Sequence, residues 1–148
     1  MRFIRERSSG YMTNWAARLF ARAIDVKLKP LGLSSAYMPV IFALAHGEAL
    51  SQRALTEAAS IEQPTMAATL ARMERDGFVM KRPDPNDRRS SLYSLTPLGM
   101  ELTEKVRTAG HAVNAAAMEG LSEAEREAYM ALLGKVVANL ATSLKDPA

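Results

Sequence analysis

Apolar residues recur along most of this chain at helical spacing. Between residues 11 and 31, Met12, Trp15, Ala16, Leu19, Ala23 and Val26 form one stripe, and Phe20, Ile24 and Leu28 widen it. So wide a stripe predicts a helix covered on more than one side. Ser34 or Ser35 can cap a second helix running to about Ala45, with Tyr37, Val40, Ile41 and Leu44 on its apolar face and Pro39 near its first turn. Ala49-Leu50 is short and can pair as a strand. Ser51 caps a third helix, Gln52 to about Ala59, with Leu55 inward. A long helix is predicted from Thr96 to about Met118, its stripe formed by Leu98, Leu102, Val106, Ala109 and Val113. Beyond Gly120, Ser122 and Glu125 make a capping box for a last helix to about Leu144, with Tyr129, Leu132, Leu133, Val136, Val137 and Leu140 apolar.

The stretch from residue 62 to residue 99 departs from this rhythm. Pro64 suits an opening helical turn, since its missing N–H would have no partner there. Met66, Leu70 and Met73 give that helix an apolar edge, and Gly77 follows its last turn. Phe78-Val79-Met80 and Ser91-Leu92-Tyr93-Ser94-Leu95 are strand-like runs, separated by the turn-rich segment Arg82 to Ser90. Thr96-Pro97 reads as an N-cap followed by proline at the first helical position. Ser60-Ile61-Glu62-Gln63 is then the turn of a helix-turn-helix. A helix feeding a basic hairpin is the layout of a winged helix-turn-helix, in which the helix enters the major groove and the hairpin, or wing, reaches the minor groove.

Asp87-Arg88-Arg89, followed by Leu95-Thr96 and Gly99, resembles the wing signature of the MarR family of transcriptional regulators. The run from Leu70 to Val79 is similar to the end of that family's recognition helix and the start of its wing. Length and helix order fit over essentially the whole chain. The resemblance implies an α+β, mostly α-helical fold. Residues 1–31 would form an N-terminal arm and dimerisation helix, residues 32–96 the winged helix-turn-helix and residues 97–148 the C-terminal dimerisation helices. It assigns Arg89 to the minor groove, whose negative potential favours a guanidinium, and leaves Arg88 for a phosphate. Asp87 supports the wing by holding an arginine or the turn. As a bare sequence pattern the two arginines would equally suit a solvated hairpin tip.

Gln63, Pro64, Thr65, Thr69 and Arg72 are the further DNA-binding candidates, the polar ones read onto one side of the recognition helix. Gln matches adenine, and Thr can touch a base or a phosphate. Arg72 suits a phosphate, a guanine edge or an ion pair with Asp76. Ala67 and Ala68 depart from the family, whose members often carry Ser or Thr and a basic residue there, so two base contacts are missing. The family also places an effector pocket where the first, second and fifth helices meet. Tyr11, Met12, Trp15, Arg18, Tyr37 and Met38 could line it, and aromatic walls with one arginine suit a small aromatic carboxylate or phenol. Ordinary packing would account for the same aromatics.

Composition narrows the remaining classes. With 148 residues and 48 % hydrophobic content the chain can bury a real core. The net charge of +3 permits nucleic acid without demanding it. The charge is uneven: residues 1–31 carry seven Lys/Arg against two acids, while residues 97–148 carry five against seven. Arg2, Arg5 and Arg7 mark a solvated or phosphate-touching arm. There is no cysteine, and two histidines, His46 and His111, make a weak metal case. No catalytic grouping, cofactor motif, metal site, signal peptide or membrane span is recognisable. The expectation is a cytoplasmic, non-enzymatic homodimer that binds a pseudo-palindromic operator in double-stranded DNA, repression and a small aromatic effector being implied by the family alone. A ligand-independent DNA-binding regulator and a small helical enzyme are the alternatives.

Overall fold

A computed structural model describes residues 4–145. It divides after Val113 into two units. The first contains helices α1 (Ser9–Leu28), α2 (Met38–Leu44), α3 (Gln52–Ala59) and α4 (Gln63–Arg75), strands β1 (Leu50–Ser51), β2 (Val79–Asp84) and β3 (Asp87–Leu95), and most of α5 (Pro97–Ala117). The second holds the end of α5 and all of α6 (Glu123–Lys145). This is the winged-helix architecture expected from the sequence.

Most boundaries follow from local chemistry. The Ser8 hydroxyl accepts from the Tyr11 N–H and starts α1, and the Ser51 hydroxyl accepts from the Ala54 N–H and starts α3. Ser51 also ends β1, where it pairs with Leu92, so the strand sits one residue later than Ala49-Leu50. Ser34 caps the 3-10 turn Ser35–Tyr37 that leads into α2. In the second unit Ser122 and Glu125 form the reciprocal capping box: the Ser122 N–H donates to the Glu125 carboxylate at 2.8 Å, and the Glu125 N–H to the Ser122 hydroxyl at 3.2 Å.

The core of the first unit is one apolar cluster. Leu28, Val40, Leu44, Leu55, Met66, Leu70, Met73, Val79 and Val106 are its fully buried members, so every helix from α1 to α5 contributes. The sheet has the order β1-β3-β2 and is antiparallel throughout. The edge position of β2 tolerates Pro83, which has no N–H to donate. The hairpin is longer than the two apolar runs indicate, because pairing continues to Asp84↔Asp87 and only Pro85-Asn86 remain as the turn.

Apolar spacing and burial part company on α5, α1 and α6. Leu98 is 46 % exposed, and Gly99 takes the inward slot ahead of Leu102, Val106, Ala109 and Val113. The reason is steric: a Cβ at Gly99 would run into the Phe78 carbonyl oxygen. On α1 only Ile24 and Leu28 are buried, whereas Leu19 and Val26 are exposed, Val26 at 74 %. α6 buries none of its residues, and Leu132, Val136, Val137, Leu140 and Leu144 are all exposed.

Gly99→Ala forces the first turn of α5 away from the root of β2. It should destabilise the chain by roughly 1–3 kcal/mol, as overpacking usually does. Urea unfolding followed by circular dichroism measures this; Gly110→Ala, where an added Cβ meets nothing, is the control.

Candidate nucleic-acid interface

The helix-turn-helix is built from α3, the turn Ser60–Glu62 and α4. Ser60 ends α3 with φ 51° and ψ 42°, a left-handed residue that reverses the chain at once. Met66, Thr69, Leu70 and Met73 point inward, which anchors α4 and leaves Gln63, Pro64, Thr65, Ala68, Ala71, Arg72 and Arg75 exposed. Thr69 is therefore a correction to the sequence reading. It is 4 % exposed, because it lies one residue before Leu70 and three after Met66 on the side that packs on the core. It is not available to DNA. Alanine at position 67 is half-buried, so a larger polar residue there would not stand free either.

The far end of α4 is fixed by a polar cluster. The Tyr37 hydroxyl donates to Asp76 Oδ2 at 2.9 Å, and Arg75 Nε donates to Asp76 Oδ1 at 3.1 Å. The Arg72 guanidinium lies 5.8 Å from the centre of the Tyr37 ring. Arg75, not Arg72, thus takes the Asp76 carboxylate. The Arg75 guanidinium first, then the Tyr37 hydroxyl, hold that carboxyl below its ordinary range. Burial, followed by the bond to Asp76, pushes the Tyr37 hydroxyl up.

The wing carries Lys81, Arg82, Arg88 and Arg89, all exposed. Pairing runs from Val79↔Leu95 to Pro83↔Ser91 and resumes at Asp84↔Asp87. Arg88, Arg89 and Ser90 thus stand on a bulge in β3 with no opposite residue on β2, and a bulge of this kind re-aims side chains away from the ladder. The acids nearby are turned to the backbone. Asp84 accepts from the Asn86 N–H at 2.8 Å, and Asp87 accepts from the Arg89 N–H at 2.9 Å. Asp87 supports the turn rather than neutralising an arginine, one of the two roles the sequence left open.

The aromatic candidates separate. Tyr11 and Trp15 meet edge to face at 6.2 Å, the Arg5 guanidinium lies 5.3 Å from the Trp15 ring centre, and Met12 and Arg18 are exposed on the same helix. Tyr37 follows its apolar-face reading and not the pocket one. It is 4 % exposed, packs edge to face on Phe78 at 6.0 Å and is a core residue rather than a pocket wall. Met38 is half-buried against the same core. Arg2 of the arm lies outside the described residues.

The sequence reading missed Gln52. It opens α3, and its Nε2 donates to Gln63 Oε1 at 3.1 Å. The available signal was a long polar side chain at the start of each of two consecutive helices.

Comparison with known proteins points the same way. Residues 31–90 match the MarR family. An HTH-type transcriptional regulator of Bacillus subtilis, YwoH, is 31 % identical over 86 residues, spanning 58 % of this chain and 62 % of its own length. The chain thus covers less than two thirds of that relative. A MarR-family regulator from Silicibacter pomeroyi is similar in structure with a TM-score of 0.76 at 28 % identity, over 93 % of this chain and 96 % of that one. Bordetella bronchiseptica BpsR, whose DNA binding is regulated by 6-hydroxynicotinic acid, aligns with a TM-score of 0.83 at 26 % identity, over 93 % and 98 %.

Tyr37→Phe should lower the urea midpoint at neutral pH. Asp76, with its depressed pKa, adds stability above the usual carboxylate range and loses it as pH falls through the depressed value. The gap between variant and parent should therefore narrow below roughly pH 4. Paired urea titrations across pH 3 to 7 check it; a gap that stays constant would leave the hydroxyl without the assigned partner.

Proposed function

We propose that the chain, which matches the MarR family over residues 31–90 and resembles a MarR-family regulator in structure, is a sequence-specific, DNA-binding transcriptional regulator. One observation carries the reading: two exposed arginines held on a bulge of the hairpin that directly follows a helix with a polar outer face. In this reading the N-terminal part of α4 enters the major groove, with Gln63, Pro64 and Thr65 at base edges and Arg72 beside a phosphate. Arg89 enters the narrow minor groove and Arg88 takes a phosphate.

The active form is a homodimer in the cytoplasm. The support is the apolar surface of α1 and α6 that each unit leaves uncovered. A two-fold pair presents two recognition helices about one turn of DNA apart and reads a pseudo-palindrome. Among the described residues no helix is long and apolar enough to cross a membrane. Repression of nearby genes is the sense of control that fits a protein occupying an operator. Arg89→Ala should weaken operator binding by roughly 1–3 kcal/mol, whereas Arg88→Ala should flatten the salt slope by about one unit. Fluorescence anisotropy across a salt series reads both; parent-like binding by both variants would remove the wing from the interface.

A small aromatic carboxylate or phenol is the effector class, and the regulation of BpsR by 6-hydroxynicotinic acid supports it. Tyr11, Met12, Trp15 and Arg18 on α1 are the residues left to hold such a ligand once Tyr37 and Met38 are assigned to the core. A ligand there acts only through a difference in affinity between two dimer arrangements. Coupling of about 1–3 kcal/mol gives partial rather than complete release. Trp15 is the single tryptophan, so its fluorescence reports binding. Titration with pyridine and benzene carboxylates should quench it and release operator, and Arg18→Ala should lose that response while still binding DNA. A full response in the variant would take Arg18 out of the site.

A further inference from the structure

The bond between Gln52 and Gln63 joins the first residues of α3 and α4. Gln63 is exposed and Gln52 half-buried. A hydrogen bond between two such amides replaces bonds to water and costs side-chain freedom, so stability is a poor reason for it. Its consequence is orientational. A free carboxamide can present oxygen or nitrogen in either direction by a half-turn of its last torsion. A donor from Gln52 requires the Gln63 oxygen to face it and so selects one of the two.

We propose that Gln52 is a positioning residue that sets Gln63 to read adenine at an A·T pair in the major groove. This rests on the DNA-binding reading above. Gln63 Oε1 has two lone pairs, of which Gln52 takes one. The second lone pair and the Nε2 hydrogens remain as an adjacent acceptor and donor. Adenine offers the complement, an N6–H donor beside the N7 acceptor. Guanine offers N7 and O6, two acceptors, and the oriented amide would set its oxygen against one of them. Gln63 is the first residue of the recognition helix, the end from which base edges are reached.

The experiment starts with duplexes selected by the parent protein from a random pool. The parent, Gln52→Ala, Gln52→Glu and Gln63→Ala are then compared on the selected duplex and on versions with single adenines replaced by 7-deazaadenine, which lacks the N7 acceptor. At one symmetry-related adenine pair the parent should lose roughly tenfold in affinity, within the range of a bidentate contact. Gln63→Ala should be indifferent to that replacement. Gln52→Ala should lose most of the discrimination at the same pair with an unchanged salt slope. Gln52→Glu offers only acceptors, turns the Gln63 amide around and should lose it too. The ratio is read within each variant, so a general change in affinity does not enter. Full discrimination in both Gln52 variants, or no adenine at which Gln63→Ala differs from the parent, overturns the proposal. A parent that selects no common sequence overturns the DNA-binding reading itself.

Discussion

The hydroxyl of Thr96 is the point on which the relative placement of α4 and the hairpin depends. It donates to the Gly77 carbonyl oxygen at 2.5 Å and accepts from the Gly99 N–H at 3.0 Å, while the Thr96 N–H donates to the Phe78 carbonyl at 3.0 Å. One residue thus ends the wing, caps α5 and grips the loop that leaves α4. Gly77, at φ 79°, turns the chain from helix to strand, and Gly99 lets α5 approach Phe78 without a side chain between them. Hairpin and α4 are therefore held to one another by the hydrogen bonds of Thr96 to backbone groups rather than by a flexible joint. The proposed engagement of two grooves at once would need that fixed offset, since each loose degree of freedom weakens binding.

Around this junction the charges are sorted. Acids near the wing tip are spent on backbone N–H groups, and Asp76 is held by Arg75 and Tyr37. The arginines of the bulge keep their guanidinium groups toward solvent. The chain's net charge of +3 is small, so affinity for a polyanion depends on placement rather than on total charge. Arg72 has both a role in the tyrosine–aspartate cluster and an exposed side chain, which links the base of α4 to the Tyr37 turn ahead of α2.

Much of this was legible in the residues. Caps declared themselves through Ser51, Ser122 with Glu125, and Thr96 before Pro97, because each satisfies an orphan N–H over a short, fixed spacing. The wing was legible because arginines between turn residues have no interior to enter. Thr69 was not, since a small hydroxyl is compatible with either side of a helix and only the packing of Met66, Leu70 and Met73 decides. Leu98 and Gly99 were exchanged for a related reason: apolar spacing does not register that a backbone carbonyl occupies the inward slot. Tyr37 stood open between the apolar face of the second helix and a pocket wall because its partner, Asp76, is 39 residues away. The Gln52–Gln63 contact likewise depends on how two helices approach, which local pattern does not encode.

In the proposed function two copies of this chain present paired winged helices to one duplex. Sedimentation of the protein with a duplex it has itself selected, at several salt concentrations, tests this arrangement. The expected result is a complex of two chains per duplex that dissociates steeply as salt rises, because each copy would release counterions from the phosphates it contacts. One chain per duplex, or binding indifferent to both sequence and salt, would contradict it.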